Sequence, residues 1–236
     1  MMINLKNITH SYNDKSVLQG LSLNFKANSV TCLLGDSGCG KTTILRLIAG
    51  LETPQNGQII IEDKVVTNND QIIIPPHKRN TGFIFQELAL WPHFTVFKNI
   101  AFGLESRKER NITKTVTDIL DFFGIQDHAY KYPHQLSGGQ KQLVAIARSL
   151  VLKPKILLMD EPLASLDVKL KRKILDHIKN IVRKFDITIV YVTHNHKEAF
   201  ELANNIVVLN DGKIEEIGEP KQIKESQNSF VKSFIE

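Results

Sequence analysis

The chain has 236 residues, 42% of them hydrophobic and 23% charged. That balance excludes collagen-like and wholly disordered classes and leaves enough apolar side chain to bury a substantial core. Thirty Lys and Arg oppose 25 Asp and Glu, a net charge of +5. The basic residues are scattered, and their densest cluster, Arg107 to Arg110, is broken by Glu109, so no nucleic acid is expected as a partner. Two cysteines, Cys32 and Cys39, point to a reducing compartment without a disulfide framework. Met1 to Lys6 lacks the apolar core of a secretion signal. No run approaches the roughly 18 apolar residues of a membrane helix, so a soluble cytoplasmic protein is expected.

Along the chain, Ser29 to Leu34 reads as a buried strand. Glycines follow, then a helix with apolar Ile44, Leu47, Ile48 and Leu51 at i, i+3, i+4 and i+7 and Gly50 as its C-cap. From Glu87 to Lys153 strand signals fade. Val116, Ile119, Leu120 and Phe123, closed by Gly124, mark one helix there, and Leu143, Ile146, Ala147 and Leu150 mark another that ends by Pro154. Ile156 to Met159 and Ile187 to Val192 are apolar runs of strand length; between them Leu170, Ile174, Ile178, Ile181 and Phe185 describe a long amphipathic helix. Ile206 to Leu209, then Asn210-Asp211-Gly212, then Lys213 to Ile217 spells a hairpin. Pro220 opens a short final helix that Phe230 and Phe234 dock onto the body. The expectation is an α/β fold with a mainly parallel sheet, an antiparallel β edge and an inserted helical subdomain. A single domain is predicted, with 1–86 and 154–236 as its α/β core and 87–153 as the insertion.

Between the first of these strands and its helix, Gly35-Asp36-Ser37-Gly38-Cys39-Gly40-Lys41-Thr42 fits the pattern G-x-x-x-x-G-K-[ST] of a P-loop NTPase core. Glycines let successive backbone N–H groups converge on one anion, and the helix N-terminus adds partial positive charge. Lys41 is expected at the β- and γ-phosphates and the Thr42 hydroxyl on Mg²⁺. The run Ile156 to Met159 delivers Asp160 and Glu161 to the C-terminal edge of the sheet, where ligands of α/β folds bind. Asp160 is expected to hold Mg²⁺ and Glu161 to act as general base on the attacking water. Leu136-Ser137-Gly138-Gly139-Gln140 opens a second glycine-bearing helix N-terminus, chemically another phosphate clamp. One nucleotide hardly needs two clamps from one chain, so a twofold dimer, each subunit closing on ATP held by the other, is the economical solution.

This constellation resembles the nucleotide-binding subunits of ABC transporters over nearly the whole chain. The Walker A loop corresponds to Gly35 to Thr43, including Thr43 itself. The signature corresponds to Leu136 to Gln140, and the Walker B strand to Ile156 to Glu161. Ser165-Leu166-Asp167 matches the D-loop, Gln86 the Q-loop glutamine that senses Mg²⁺ and the attacking water, His194 the switch histidine at the γ-phosphate, and Tyr12 the aromatic that stacks on adenine. Asp36 and Cys39 depart from residues commonly Pro and Ser in this loop. Cys39 is read either as a tolerated small residue or as a thiol activated by the helix N-terminus and protected by ATP. The resemblance implies ATP and Mg²⁺ as cofactors, a head-to-tail dimer, transmembrane permease subunits and a separate solute-binding protein. It also implies a peripheral position on the cytoplasmic face of the inner membrane. Ala89 to Val96, with Leu90, Trp91 and Phe94, resembles the stretch that docks a coupling helix of the permease in importers, with internal packing of the helical insertion as the alternative role of Trp91. The nearest wording is that of importers of ferric iron, polyamines, sugars and oxyanions, many of which carry a further β-rich C-terminal domain for which these 236 residues leave no room. The alternatives are an exporter or membrane-associated regulatory ATPase, a soluble ABC ATPase of DNA repair or translation, and an unrelated P-loop kinase or GTPase. The last two classes are disfavoured by the absence of sustained heptads and by the second clamp, respectively.

Overall fold

The computed structural model describes residues 1–13, 15–164 and 166–235. In chain order it contains β1 (Ile3–Tyr12), β2 (Lys15–Phe25), β3 (Val30–Gly35), α1 (Lys41–Ala49), β4 (Asn56–Ile61), β5 (Lys64–Asn68), β6 (Gln71–Ile72) and β7 (Thr81–Ile84). Helices α2 (Val96–Ser106), α3 (Ile112–Phe123) and α4 (Gly138–Leu150) follow, then β8 (Ile156–Asp160), α5 (Val168–Phe185), β9 (Thr188–Val192) and α6 (His196–Leu202). The chain closes with β10 (Asn205–Asn210), β11 (Lys213–Gly218), α7 (Pro220–Lys224) and α8 (Ser229–Ile235).

The central sheet runs β11-β10-β3-β9-β8-β7, parallel throughout except for the antiparallel edge strand β11. Its strands are apolar on both faces because both are covered. Cys32, Leu34, Leu157, Met159, Ile189 and Tyr191 point to a core shared with α2 to α6. Leu33, Ile156, Leu158, Val190 and Val192 point the opposite way, to a core shared with α1 and a second sheet. That second sheet, β2-β1-β4-β5-β6, is wholly antiparallel, and α1 lies buried between the two. The α/β layering and the antiparallel β10–β11 edge match the predicted class, but the separate five-stranded antiparallel sheet built from residues 3–72 was not anticipated. Three register shifts along β1 break the two-residue alternation that would have announced it.

Two smaller expectations are corrected. Leu51 does not extend α1: Gly50 turns left-handed at φ 76° and ends the helix, leaving Leu51 half exposed. The tail is two helices rather than one, α7 opened by Pro220 and α8 carrying Phe230 and Phe234, both half-buried against the core. Among the described residues no strand lies between β7 and β8, and no helix is long and apolar enough to cross a membrane.

Arg79 fastens the second sheet to the end of α1. Its buried guanidinium donates to the carbonyls of Ile74, Leu47, Ile48 and Val66 and to the Thr67 hydroxyl, at 2.7 to 3.2 Å. Burial lowers its pKa to about 10, and the last carbonyls of α1 supply the negative end of the helix dipole in place of an acid. Gly50 serves this contact as well, since a Cβ there would sit 2.4 Å from the guanidinium carbon. Arg79→Ala leaves several buried acceptors without donors, at ~1–3 kcal/mol for each one unsatisfied. A loss of about 3 kcal/mol and a melting midpoint lower by roughly 6–12 °C are expected in a chain of this size. Thermal unfolding followed by circular dichroism checks this, and an unchanged midpoint contradicts the fastening role.

Candidate functional site

Strand β3 ends at Gly35, whose φ of 148° and close approach to the Leu209 carbonyl admit no side chain; a Cβ there would lie 2.2 Å from that oxygen. The chain then loops through Asp36, Ser37, Gly38 and Cys39 to Gly40 and enters α1 at Lys41. Gly40, at φ 102°, is the N-cap and contributes no side-chain cap. The N–H of Ile44 is the first to bond back, to the Gly40 carbonyl. The N–H groups of Lys41, Thr42 and Thr43 in the first turn therefore have no intrahelical acceptor, the condition for an anion site. Lys41 is 5% exposed, and its ammonium donates to the carbonyls of Gly35 and Asp36 at 2.8 and 2.7 Å. Those two acceptors hold the charge beside the glycine loop.

A cavity of about 610 Å³ opens over this loop. It gathers Ser37, Gly38, Gly40, Lys41, Thr42 and Thr43 with Gln86 and Glu161, and its far wall is the β1–β2 hairpin with Tyr12, Asn13, Lys15 and Val17. Just beneath it the Thr42 hydroxyl donates to Asp160 Oδ1 at 2.9 Å. Burial raises the Asp160 carboxyl, with the Thr42 hydrogen bond opposing. Glu161 sits past the end of β8 at φ 43°, and its N–H is tied to the Val192 carbonyl at 3.1 Å. Its carboxylate Oε2 lies 3.1 Å from His194 Nδ1, so the Nδ1–H tautomer donates to it. Gln86, Glu161 and His194, which come from three separate segments, thus converge on one end of the cavity or pair beside it.

Ser137, Gly138, Gly139 and Gln140 do not reach this cavity. They open α4 as a reciprocal capping box: Gln140 N–H donates to Ser137 Oγ and Ser137 N–H donates to Gln140 Oε1. Ser137 and Gly138 face solvent. Gly139 has a packing reason to be glycine, since a Cβ there would lie 2.3 Å from a Leu170 methyl of α5. Of the Ser165-Leu166-Asp167 match, Ser165 lies outside the described residues; Asp167 caps α5 by accepting from the Leu170 N–H at 3.1 Å.

The activated-thiol reading of Cys39 is overturned. Its side chain turns inward at 4% exposure, and burial raises the thiol pKa more than the nearby Lys41 ammonium lowers it. Cys39 is a small buried residue beneath the loop. Trp91 also serves internal packing: its ring lies 4.5 Å from Phe102 and 5.7 Å from Phe94, with the Arg148 guanidinium 5.1 Å above it. Arg148 donates to the carbonyls of Leu88 and Ala89, two residues held at positive φ just after Gln86. Alongside Phe102, Arg148 and Leu152, Trp91 lines a groove of about 290 Å³.

Two carboxylates escaped the sequence reading. Glu198 is buried and accepts from Tyr191, Thr193 and Lys171 at 2.9 to 3.0 Å, bracing the segment that carries His194. Glu52 accepts from Tyr12 and Arg46. Neither lies in a recognisable motif, and their partners come from other elements.

Comparison with known proteins bears on the family and the fold. Residues 18–164 match the family described as ABC transporter. The chain is 44% identical over its full length to the spermidine/putrescine import ATP-binding protein PotA of Clostridium acetobutylicum, covering 66% of that protein. It is 42% identical to PotA of Thermotoga maritima over 99% of the chain, covering 63% of that protein. The chain thus spans about two thirds of the length of these curated relatives. Among solved structures it resembles the dimeric ATP-binding cassette MJ0796 in a post-hydrolysis state bound to ADP and Pi, with a TM-score of 0.82 at 32% identity, covering 93% of this chain and 99% of that one. It also resembles cbiO1 of Clostridium perfringens, part of the ABC transporter complex cbiONQ, with a TM-score of 0.87 at 29% identity, covering 98% of this chain and 93% of that one. A glycine loop, a strand-borne Asp-Glu pair and a glycine-opened α4, set on a fold shared with these cassettes, make the chain a member of the ABC transporter family.

Proposed function

We propose that the chain binds ATP with Mg²⁺, hydrolyses it, and so energises import of a polyamine through permease subunits in the membrane. The observation that carries the chemistry is the arrangement around one cavity of the Lys41 ammonium, the Thr42–Asp160 hydroxyl–carboxylate pair and Glu161. A hydroxyl and a carboxylate 2.9 Å apart at a helix N-terminus are hard oxygen donors of the kind Mg²⁺ takes. Among the described residues no cluster of three His, Cys, Asp or Glu side chains could hold a metal alone. That suits an ion that keeps waters and shares itself with substrate phosphates. Thr42 and Asp160 would hold it, with Gln86 at the same cavity, and when bound it neutralises phosphate charge.

The chain's own residues then have separable tasks. The backbone amides of the glycine loop, with Lys41, grip the phosphates, drawing the ammonium from the Gly35 and Asp36 carbonyls. Glu161 accepts the proton of the attacking water, and His194 orients its carboxylate through the 3.1 Å contact. Ser137 and Gly138, exposed and not among the residues lining the chain's own cavity, are free to clamp nucleotide held by a second copy, which supports a head-to-tail dimer. Residues 87–153 act as the helical subdomain and present the Trp91 groove to the permease; a separate solute-binding protein delivers cargo, and the subunit sits on the cytoplasmic face of the inner membrane. Polyamine is favoured over the other cargoes because the PotA relatives import spermidine and putrescine. A strain lacking this chain is expected to lose radiolabelled spermidine uptake, restored by the wild type and not by Glu161→Gln. Unchanged uptake in the deletion strain would sink the polyamine assignment.

A further inference from the structure

We infer that Glu52 is a positioning residue for nucleobase binding: it anchors the Tyr12 hydroxyl so that the ring presents its face at the hairpin end of the cavity. This rests on the reading of that cavity as the ATP site. Tyr12 lies at the last position of β1, 42% exposed, next to a hairpin turn that by itself would leave a ring free to rotate. Glu52 follows the left-handed Gly50 cap, which redirects the chain at the end of α1. Its carboxylate meets three groups. Oε2 accepts from the Tyr12 hydroxyl, Oε1 accepts from Arg46 of α1 at 3.1 Å, and the buried His10 ring lies with Nε2 3.6 Å from Oε2. Among the described residues neither ring nitrogen of His10 has a hydrogen-bond partner. The same ring stands edge-on to Tyr12, with centroids 4.8 Å apart and planes at 84°. Tyr12 is thus held at its hydroxyl by Glu52 and at its ring by His10, and its hydroxyl also lies 3.4 Å from Thr43 Oγ1 in the first turn of α1.

With the hydroxyl so engaged, what Tyr12 offers a ligand is its π-face, a contact that a purine takes by stacking. An aromatic whose χ angles are already fixed loses less entropy on binding. Glu52 touches no part of the expected phosphate site, so its effect should fall on nucleosides and spare the bare polyphosphate.

The test measures equilibrium binding of Mg·ATP, Mg·GTP and Mg·tripolyphosphate to the full chain by calorimetry. Glu52→Ala and Tyr12→Phe are each expected to weaken both nucleotides about fivefold, the lower end of a single base–aromatic stack. Tripolyphosphate affinity should be unchanged, the double variant should lose no more than either single one, and Glu52→Gln, which still accepts from the hydroxyl, should recover most of the loss. Equal weakening of tripolyphosphate overturns the inference in favour of general damage to the loop. Nucleotide binding that falls in Tyr12→Ala yet stays at wild-type strength in Glu52→Ala also overturns it, while leaving the ATP site standing. Unaltered nucleotide affinity in Tyr12→Ala instead removes the reading of the hairpin as the base end. Where Glu52→Ala does not fold, Tyr12→Phe decides alone: wild-type ATP binding in it refutes the anchor.

Discussion

Glu161→Gln is expected to bind Mg·ATP about as tightly as the wild type and to turn it over about 10²–10⁴ times more slowly, the usual contribution of a general base. The replacement is nearly isosteric. The amide oxygen can still accept from His194 across the 3.1 Å contact, and the backbone at φ 43° with its N–H on the Val192 carbonyl is untouched. What disappears is the capacity to take a proton from water. Because hydrolysis would otherwise reopen the dimer, the variant should accumulate as a closed two-subunit species with ATP, seen as a doubling of mass in light scattering. In the proposed head-to-tail dimer, closure would gain two γ-phosphate clamps that the open state lacks, and that differential affinity would shift the population. Wild-type turnover in the variant removes Glu161 from the base role. A persistent monomer under saturating ATP, with dilute single chains still fully active, removes the shared-site mechanism.

Lys41→Ala should lose ATP affinity by about 10- to 100-fold, the range for losing a charge-assisted hydrogen bond worth ~1.5–3 kcal/mol. The ammonium lies 5% exposed between two carbonyls at the mouth of the glycine loop. Its loss therefore removes a full positive charge from beside the glycine loop, while the amides of Lys41, Thr42 and Thr43 remain. Titration calorimetry with ATP measures the effect, and circular dichroism reports whether the buried loop keeps its fold without the two hydrogen bonds. Binding at wild-type strength in a folded variant would falsify the cradle assignment.

Much of the molecule was legible before any coordinates. The parallel strands showed as continuous apolar runs because both sheet faces are covered, and α3 and α5 showed as 3.6-residue stripes because each buries one face. Asn210-Asp211-Gly212 announced the β10–β11 hairpin through turn chemistry that needs no tertiary partner, with Asp211 and Gly212 both at positive φ. Where local pattern and tertiary demand part, reading failed. The bulged strand β1 hides its period and pairs with β4 far along the chain. Leu51 keeps the helical stripe in sequence although Gly50 has already ended the helix. Cys39, at the head of a helix, carries the sequence signature of an activated thiol, yet its side chain turns into the core. Glu52 and Arg79 are unremarkable letters until their partners, contributed by other elements, surround them.

The sequence by itself determined the covalent order of the machine: which glycines, lysine, threonine and carboxylates occur, at what spacing, and on which local elements. Such features depend on short-range sterics, on caps and turns, and on hydrophobic periodicity, all of which act within a few residues. Only the tertiary structure decided the distances that give those residues chemistry. Asp160 meets Thr42 and Tyr12 is pinned by Glu52 because two sheets close on α1, and Glu161 meets His194 because β8 and β9 lie side by side in the central sheet; both bring together segments that local rules leave independent. Ser137 and Gly138 stay out of the chain's own cavity because α4 packs on the other face of the central sheet and against α5, a placement that nothing in its glycine motif sets.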